Sequence, residues 1–270
     1  MSSNSPRQKG QAEEMLANYH THTVRCNHAV GTEREYVERA IERGFKILGF
    51  SDHTPQPYET FYESSTRMKM AELPNYTQTL VDLREEYKDQ IKILIGYEVE
   101  YFRGYFDPLM EELRKYPLDY IIQGQHNVPD EPNGNYVGFQ TDDEMVLASY
   151  VDHCIEGMET GLFLYLAHPD LINFIGSEKL YMNQMERLVD AAVSHDQPLE
   201  VNIYGFIDHR NYPSDRFFQM ASEKGARFVV GCDAHAPQVI QQIEDIPGFA
   251  EFLDRNKIVI GDNVLEMKEI

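Results

Sequence analysis

An α/β fold, with a parallel sheet wrapped in helices and closed into a barrel, is predicted by three observations. Strand-like apolar runs alternate with helix-like segments nearly throughout the 270 residues, the order that puts parallel strands inside and helices outside. About seven such units fit in the chain, which suits a closed barrel. No stretch between them is long enough for a linker, so residues 1–270 read as one domain, with 1–16 as a flexible N-terminal extension.

The elements follow in order. A first strand runs up to His20, and Thr32-Glu33-Arg34-Glu35 is a capping box leading into a helix over Tyr36–Arg43, stopped by Gly44. The strand Lys46–Ser51 comes next. Leu73, Leu80, Leu83 and Tyr87 have helical spacing within Met70–Lys88, with Pro74 in the first turn. Strand Ile91–Val99 precedes a helix over Asp107–Lys115, and strand Tyr120–Gln125 precedes helix Asp142–Thr160. Strand Leu162–Ala167 leads to helix Glu178–His195, and strand Leu199–Ile203 to helix Ser214–Lys224. Strand Arg227–Cys232, helix Phe249–Asp254 and a short strand Ile258–Ile260 complete the series. Three polar stretches, Thr54–Met68, Asn127–Gln140 and Tyr204–Pro213, read as long loops at one rim, where barrel enzymes keep specificity.

Composition narrows the class. The 24 basic and 45 acidic residues give a formal net charge of −21, which repels a phosphate backbone and disfavours a nucleic-acid partner. Cys26, Cys154 and Cys232 form no CxxC pair, so a reduced, cytoplasmic setting is expected. No apolar run reaches membrane-spanning length. Oligomeric state is not legible.

Six segments place a histidine or an acid where an apolar run ends. They carry His20 with His22, His53, Glu98, His126, His168, and Asp233 with His235. In an extended chain the side chains of His20 and His22 fall on one face, as do those of Asp233 and His235. Imidazoles mixed with carboxylates at strand ends suit a multinuclear divalent-metal site. His28 lies six residues beyond His22 and adds a further candidate ligand, with Cys26 and Asn27 as competitors. Cys26 reads as a small buried thiol. His153 and His195 fall inside helices and are given no role.

These motifs resemble the PHP (polymerase and histidinol phosphatase) superfamily, in its histidinol-phosphatase branch. The residues carrying the likeness are His20-Thr21-His22, Gly49-Phe50-Ser51-Asp52-His53, the glutamate in Ile95–Glu100, Gly124-Gln125-His126, Ala167-His168-Pro169-Asp170 and Gly231-Cys232-Asp233-Ala234-His235, with Arg67–Tyr76 running into Tyr87-Lys88. The likeness spans Asn18 to Pro237. It implies a distorted (β/α)7 TIM-like barrel with two to three divalent ions, Zn, Fe or Mn. It also implies His20, His22, Glu98 and Asp233 at a first ion, Glu98 as a bridge with His126 and His168 at a second, and His28, His53 and His235 at a third.

The chemistry expected is hydrolysis of a small-molecule phosphomonoester, with L-histidinol phosphate as the leading substrate and hydroxide bridging two ions as the nucleophile. Asp233 is a ligand and a candidate catalytic carboxylate; His209 is the candidate acid for the leaving group. Arg210, Arg67 and Arg25 are the candidate phosphate grips, since a guanidinium matches phosphate oxygens best. The branch is expected to carry a basic residue soon after His168, where this chain has Leu171-Ile172-Asn173-Phe174. Glu59, Asp130 and Asp208 are acids that a substrate amine could meet. The competing readings are a phosphatase for phosphotyrosine or another small ester, an exonuclease, and a non-catalytic metal-binding regulatory module.

Overall fold

The computed structural model describes residues 14–58 and 60–270. Residues 1–13 of the expected extension, and Glu59, lie outside the described residues. The extension does not run to residue 16: Met15 is buried, and its amide donates to Gln242 Oε1 at 2.8 Å.

A parallel α/β arrangement forms a curled sheet. Strands β1 (Ala17–Asn18), β2 (Ile47–His53), β3 (Lys92–Val99) and β4 (Tyr120–Gln123) pair in that order, all parallel. The Asn127–Gln140 loop contributes an antiparallel hairpin of β5 (Asn127–Val128) and β6 (Asn135–Tyr136). Strands β7 (Leu199–Asn202) and β8 (Phe228–Gly231) form a second parallel pair. Single parallel bridges join Gln123 to Leu166, Leu166 to Leu199, and Thr21 to Ala234.

The helices follow the expected rhythm: α1 (Glu33–Glu42), α2 (Leu73–Glu86), α3 (Phe106–Leu113), α4 (Glu144–Glu159), α5 (Glu178–Ser194), α6 (Ile203–Ile207), α7 (Asp215–Glu223) and α8 (Phe249–Arg255). The capping box at α1 is present, with Thr32 N donating to Glu35 Oε2 at 2.6 Å and Glu35 N to Thr32 Oγ1 at 3.3 Å. These bonds satisfy amides that the first helical turn leaves free.

Alternation along the strands divides the core in two. Ile93, Ile95 and Tyr97 face the helices, where they join the larger apolar cluster. Leu94, Tyr120, Ile122 and Val229 face inward and form a smaller one with Ala17, Tyr19 and Tyr165. Leu265, Met267 and Ile270 pack against this inner cluster and floor it.

Three expectations need correction. Leu162–Ala167 is not a continuous strand. It lies between β4 and β7, with Leu164 N donating to Ile121 O and Leu166 N to Pro198 O, but regular pairing is limited to Leu166. Ile258–Ile260 is not a strand either, because the bonds a neighbour would make to β8 are taken by a side chain. Asn263 Oδ1 accepts from Val230 N at 2.8 Å, while its Nδ2 donates to Val230 O and Ala17 O at 2.7 and 2.9 Å. On the same seam Asn18 Oδ1 accepts from Cys232 N at 2.9 Å. Finally, the Tyr204–Pro213 loop begins as the short helix α6, capped by Asn202 Oδ1 accepting from Gly205 N at 2.8 Å. Among the described residues no helix is long and apolar enough to cross a membrane.

Candidate metal centre

Register brings the motifs to one rim. The β2–β3 ladder sets His53 opposite Glu98. The Thr21–Ala234 bridge carries His20 and His22 alongside Asp233 and His235. Strands β1–β4, β7 and β8 pair in parallel and end toward the same side, so residues scattered over more than 200 positions converge.

The nine candidate ligands form one cluster with Glu98 at its centre. Its Oε2 lies 3.5 Å from His20 Nε2, 3.6 Å from His22 Nε2 and 3.0 Å from His53 Nδ1. Its Oε1 lies 2.9 Å from His168 Nε2 and 3.4 Å from His126 Nε2. Asp233 Oδ1 is 3.4 Å from His20 Nε2 and 3.0 Å from His22 Nε2. His28 and His235 face each other with Nε2 atoms 3.0 Å apart. His20, His22, Glu98, His168 and Asp233 are all buried.

Burial on this scale is unfavourable for charge, and the protonation pattern follows. Burial raises the Glu98 carboxyl, but His126, His53 and His20 outweigh it and hold the group well below the usual carboxylate range. Asp233 is likewise pushed up by burial and held well down by His20, His22 and His235. Burial lowers His20, yet Glu200, Asp233 and Glu98 push it up to about 10. His53 and His235 are driven well below the ordinary histidine value, first by burial. Glu98 and Asp233 are thus held as anions beside the neutral rings of His53 and His235, while His20 and His22, raised by the acids around them, would give up a proton to a cation. Carboxylates with imidazoles suit divalent cations of borderline softness. His20 Nε2, His22 Nε2 and Glu98 Oε2 have no hydrogen-bond partner although fully enclosed. Buried polar atoms rarely stay unpaired, so the residues present fit metal ions.

Three acids absent from the expected ligand set flank the cluster. Glu200 Oε1 sits 2.7 Å from His20 Nδ1, and its Oε2 accepts from His168 N and Asn202 Nδ2 at 2.9 and 2.8 Å. A carboxylate on Nδ1 fixes the proton there and leaves Nε2 free to face a cation. Glu100 plays the same part at 3.1 Å from His126 Nδ1, while Asp52, 3.4 Å from His22 Nδ1, makes no hydrogen bond to it. Each was detectable as an acid inside or just beyond an apolar run, in Leu199–Ile203, Ile91–Val99 and Lys46–Ser51. Glu200→Gln is expected to lower metal affinity about 10- to 100-fold, read as metal content after dialysis; unchanged content would remove the orienting role.

Beside the cluster opens a cleft of about 440 Å³ whose walls include Tyr62, Tyr136, Phe139, Tyr204 and Tyr212. Arg210 lines it, stacked 4.5 Å over the Tyr204 ring and donating to Tyr212 Oη at 3.2 Å. Arg67 lines it too. Its Nε and Nη2 are engaged by Glu131 and Glu100, while Nη1 is buried without a partner. Arg25 and His209 are not brought to the cleft. The Arg25 guanidinium is held by Glu33 and by Asn75 Oδ1 at 2.7 Å, and His209 is an exposed residue at a left-handed turn (φ 53°). Asp130 caps Asn133 and Asp208 pairs with Arg210, so neither supplies a free acid to the walls. Leu171, Ile172 and Phe174 are core residues.

Known proteins resemble this chain. The family model described as PHP domain matches residues 18–204. A protein of Deinococcus radiodurans named probable histidinol-phosphatase is 27% identical over 86% of this chain and 94% of its own. One of the same name from Schizosaccharomyces pombe is 28% identical, over 82% of this chain and 81% of its own. Among solved structures, histidinol phosphate phosphatase from Lactococcus lactis, in complex with zinc, L-histidinol and phosphate, superposes with a TM-score of 0.67. That match is 19% identical, over 90% of this chain and 94% of that one. With its motifs, its fold and the family match in agreement, the chain belongs to the PHP domain family.

Proposed function

We propose that this protein is a metal-dependent phosphatase that hydrolyses L-histidinol phosphate to histidinol and phosphate. The observation that carries the reading is the clustering of nine ligand-type side chains, Glu98 at their centre, beside a cleft that Arg210 and Arg67 also line. His20, His22, Glu98 and Asp233 would hold a first ion, Glu98, His126 and His168 a second, and His28, His53 and His235 a third. Bound ions would acidify water and offset phosphoryl charge. The protein's own groups supply the rest. Arg210 is held at the cleft by Tyr204 and Tyr212, so its fork is pre-oriented toward an anion. The aromatic walls suit a flat heterocycle, and the names of the relatives point the same way.

The scaffold is read as a distorted (β/α)7 barrel, on the strength of the three isolated bridges that link β4 to β7 and β8 to β1.

The test is turnover of L-histidinol phosphate beside phosphotyrosine and an aryl phosphate, before and after chelation. The expected result is a kcat/KM above about 10⁴ M⁻¹s⁻¹ for histidinol phosphate, lost with chelator and restored by Zn, Mn or Fe. Equal, weak hydrolysis of all three esters would sink the substrate and leave the phosphatase. Arg210→Ala is expected to lower kcat/KM about 10- to 100-fold, the scale of a lost charged hydrogen bond; an unchanged value would take phosphate binding away from it.

A further inference from the structure

Cys26 is fully buried, yet it does not sit in the apolar core of a sheet or helix. It closes a 3-10 turn over Val24–Cys26, with Asn27 following in the left-handed region at φ 66°. That tight return brings the thiol back toward the histidines on either side of it. Cys26 Sγ and ring nitrogens of His28 and His235 all lie within 4.8 Å of one another, and Cys26 Sγ lies as close to a ring nitrogen of His22 and a carboxylate oxygen of Asp52. His22 Nδ1, on this side of its ring, is enclosed and has no hydrogen-bond partner. The other two cysteines differ. Cys154 is packed inside α4, and Cys232 has its sulfur 3.9 Å from the Gln241 carbonyl oxygen.

We infer that Cys26 is a thiolate ligand of the ion held by His28, His53 and His235, and that the same sulfur accepts a hydrogen bond from His22 Nδ1. The inference rests on the reading that these histidines hold an ion. On binding, the thiol proton passes to solvent and a sulfur lone pair forms the metal bond. Cys26 would add a thiolate to the imidazoles there, a donor set that suits zinc. A soft sulfur donor selects zinc over manganese. The sulfur also ties the third position to the first, because His22 turns its other nitrogen toward Asp233.

The experiment is cobalt substitution of the full chain under reducing, anaerobic conditions, read by absorption. The expected result is a thiolate-to-cobalt charge-transfer band in the near ultraviolet, lost in Cys26→Ser and kept in Cys154→Ser. Should Cys26→Ser fail to fold, zinc K-edge absorption of the unaltered protein gives the same answer. It is expected to show a sulfur scatterer at about 2.3 Å. No band and no sulfur scatterer in the unaltered protein, failure to bind cobalt, or a band retained in Cys26→Ser would overturn the assignment. Substrate turnover is measured separately. A cobalt band without histidinol-phosphate hydrolysis would fell the proposed activity and leave this ligand standing.

Discussion

Glu98→Gln is expected to lower kcat/KM for the phosphomonoester by about 10⁴-fold or more, the scale on which removing a central catalytic group acts. Both carboxylate oxygens face ring nitrogens: Oε2 faces His20, His22 and His53, and Oε1 faces His126 and His168. An amide of the same shape keeps one acceptor oxygen but replaces the other with an NH2 group, which cannot bind a cation. It also deletes the negative charge that His126, His53 and His20 surround. The variant should therefore lose metal at two positions together. Metal analysis after dialysis, with circular dichroism to show an intact fold, checks this. Activity within tenfold of the parent would mean that the shared carboxylate is dispensable and that the ions are held otherwise.

The second large effect needs no change to any ligand. Gly124 lies against Glu98 so closely that an added Cβ would stand 1.8 Å from Oε1 and 2.4 Å from Cδ. Gly124→Ala must push the Glu98 side chain out of its place between His126 and His168. The expected loss in kcat/KM is about 100-fold or more, comparable with removing a group that holds a metal ligand in position. All nine ligands would remain, so weakened metal binding would be due to geometry alone. Normal metal content and turnover would show that Glu98 has room to move. Gly231 stands in the same relation to Glu200, with its Cβ position 1.8 Å from Oε1. Gly124 and Gly231 are thus clearances for carboxylates.

What could be read from the chain, and what could not, divides along physical lines. Eight of the nine candidate ligands were legible because each sits at the end of an apolar run, and parallel strands bring their ends to one rim; His28 was offered only by its place shortly after His22. Helices α1, α2, α4 and α5 were legible from caps and periodicity. The Leu162–Ala167 and Ile258–Ile260 runs misled because an apolar run reports burial and not pairing. The first is bonded on both sides without a continuous ladder, and beside the second the bonds belong to Asn263. Arg25 and Arg210 both lie near ligands in sequence. Only three-dimensional packing decides that Glu33 and Asn75 retain one, while Tyr204 and Tyr212 hold the other at the cleft. Glu200 was overlooked because an acid inside a short strand looks like a breach of the apolar pattern. Its full enclosure against His20 makes it part of the site.

The seam where β1 meets β8 has a mechanical meaning. Regular pairing there amounts to the Thr21–Ala234 bridge, and the amide side chains of Asn18 and Asn263 supply further bonds. His20 and His22 lie on one bank, Asp233 and His235 on the other. A cation held between the banks would act as a rivet, and parting the seam would release it. Amide protons at Cys232 and Ala234 should then report ion loss directly, exchanging faster once a chelator is added while those in the β2–β3 ladder hold their pace.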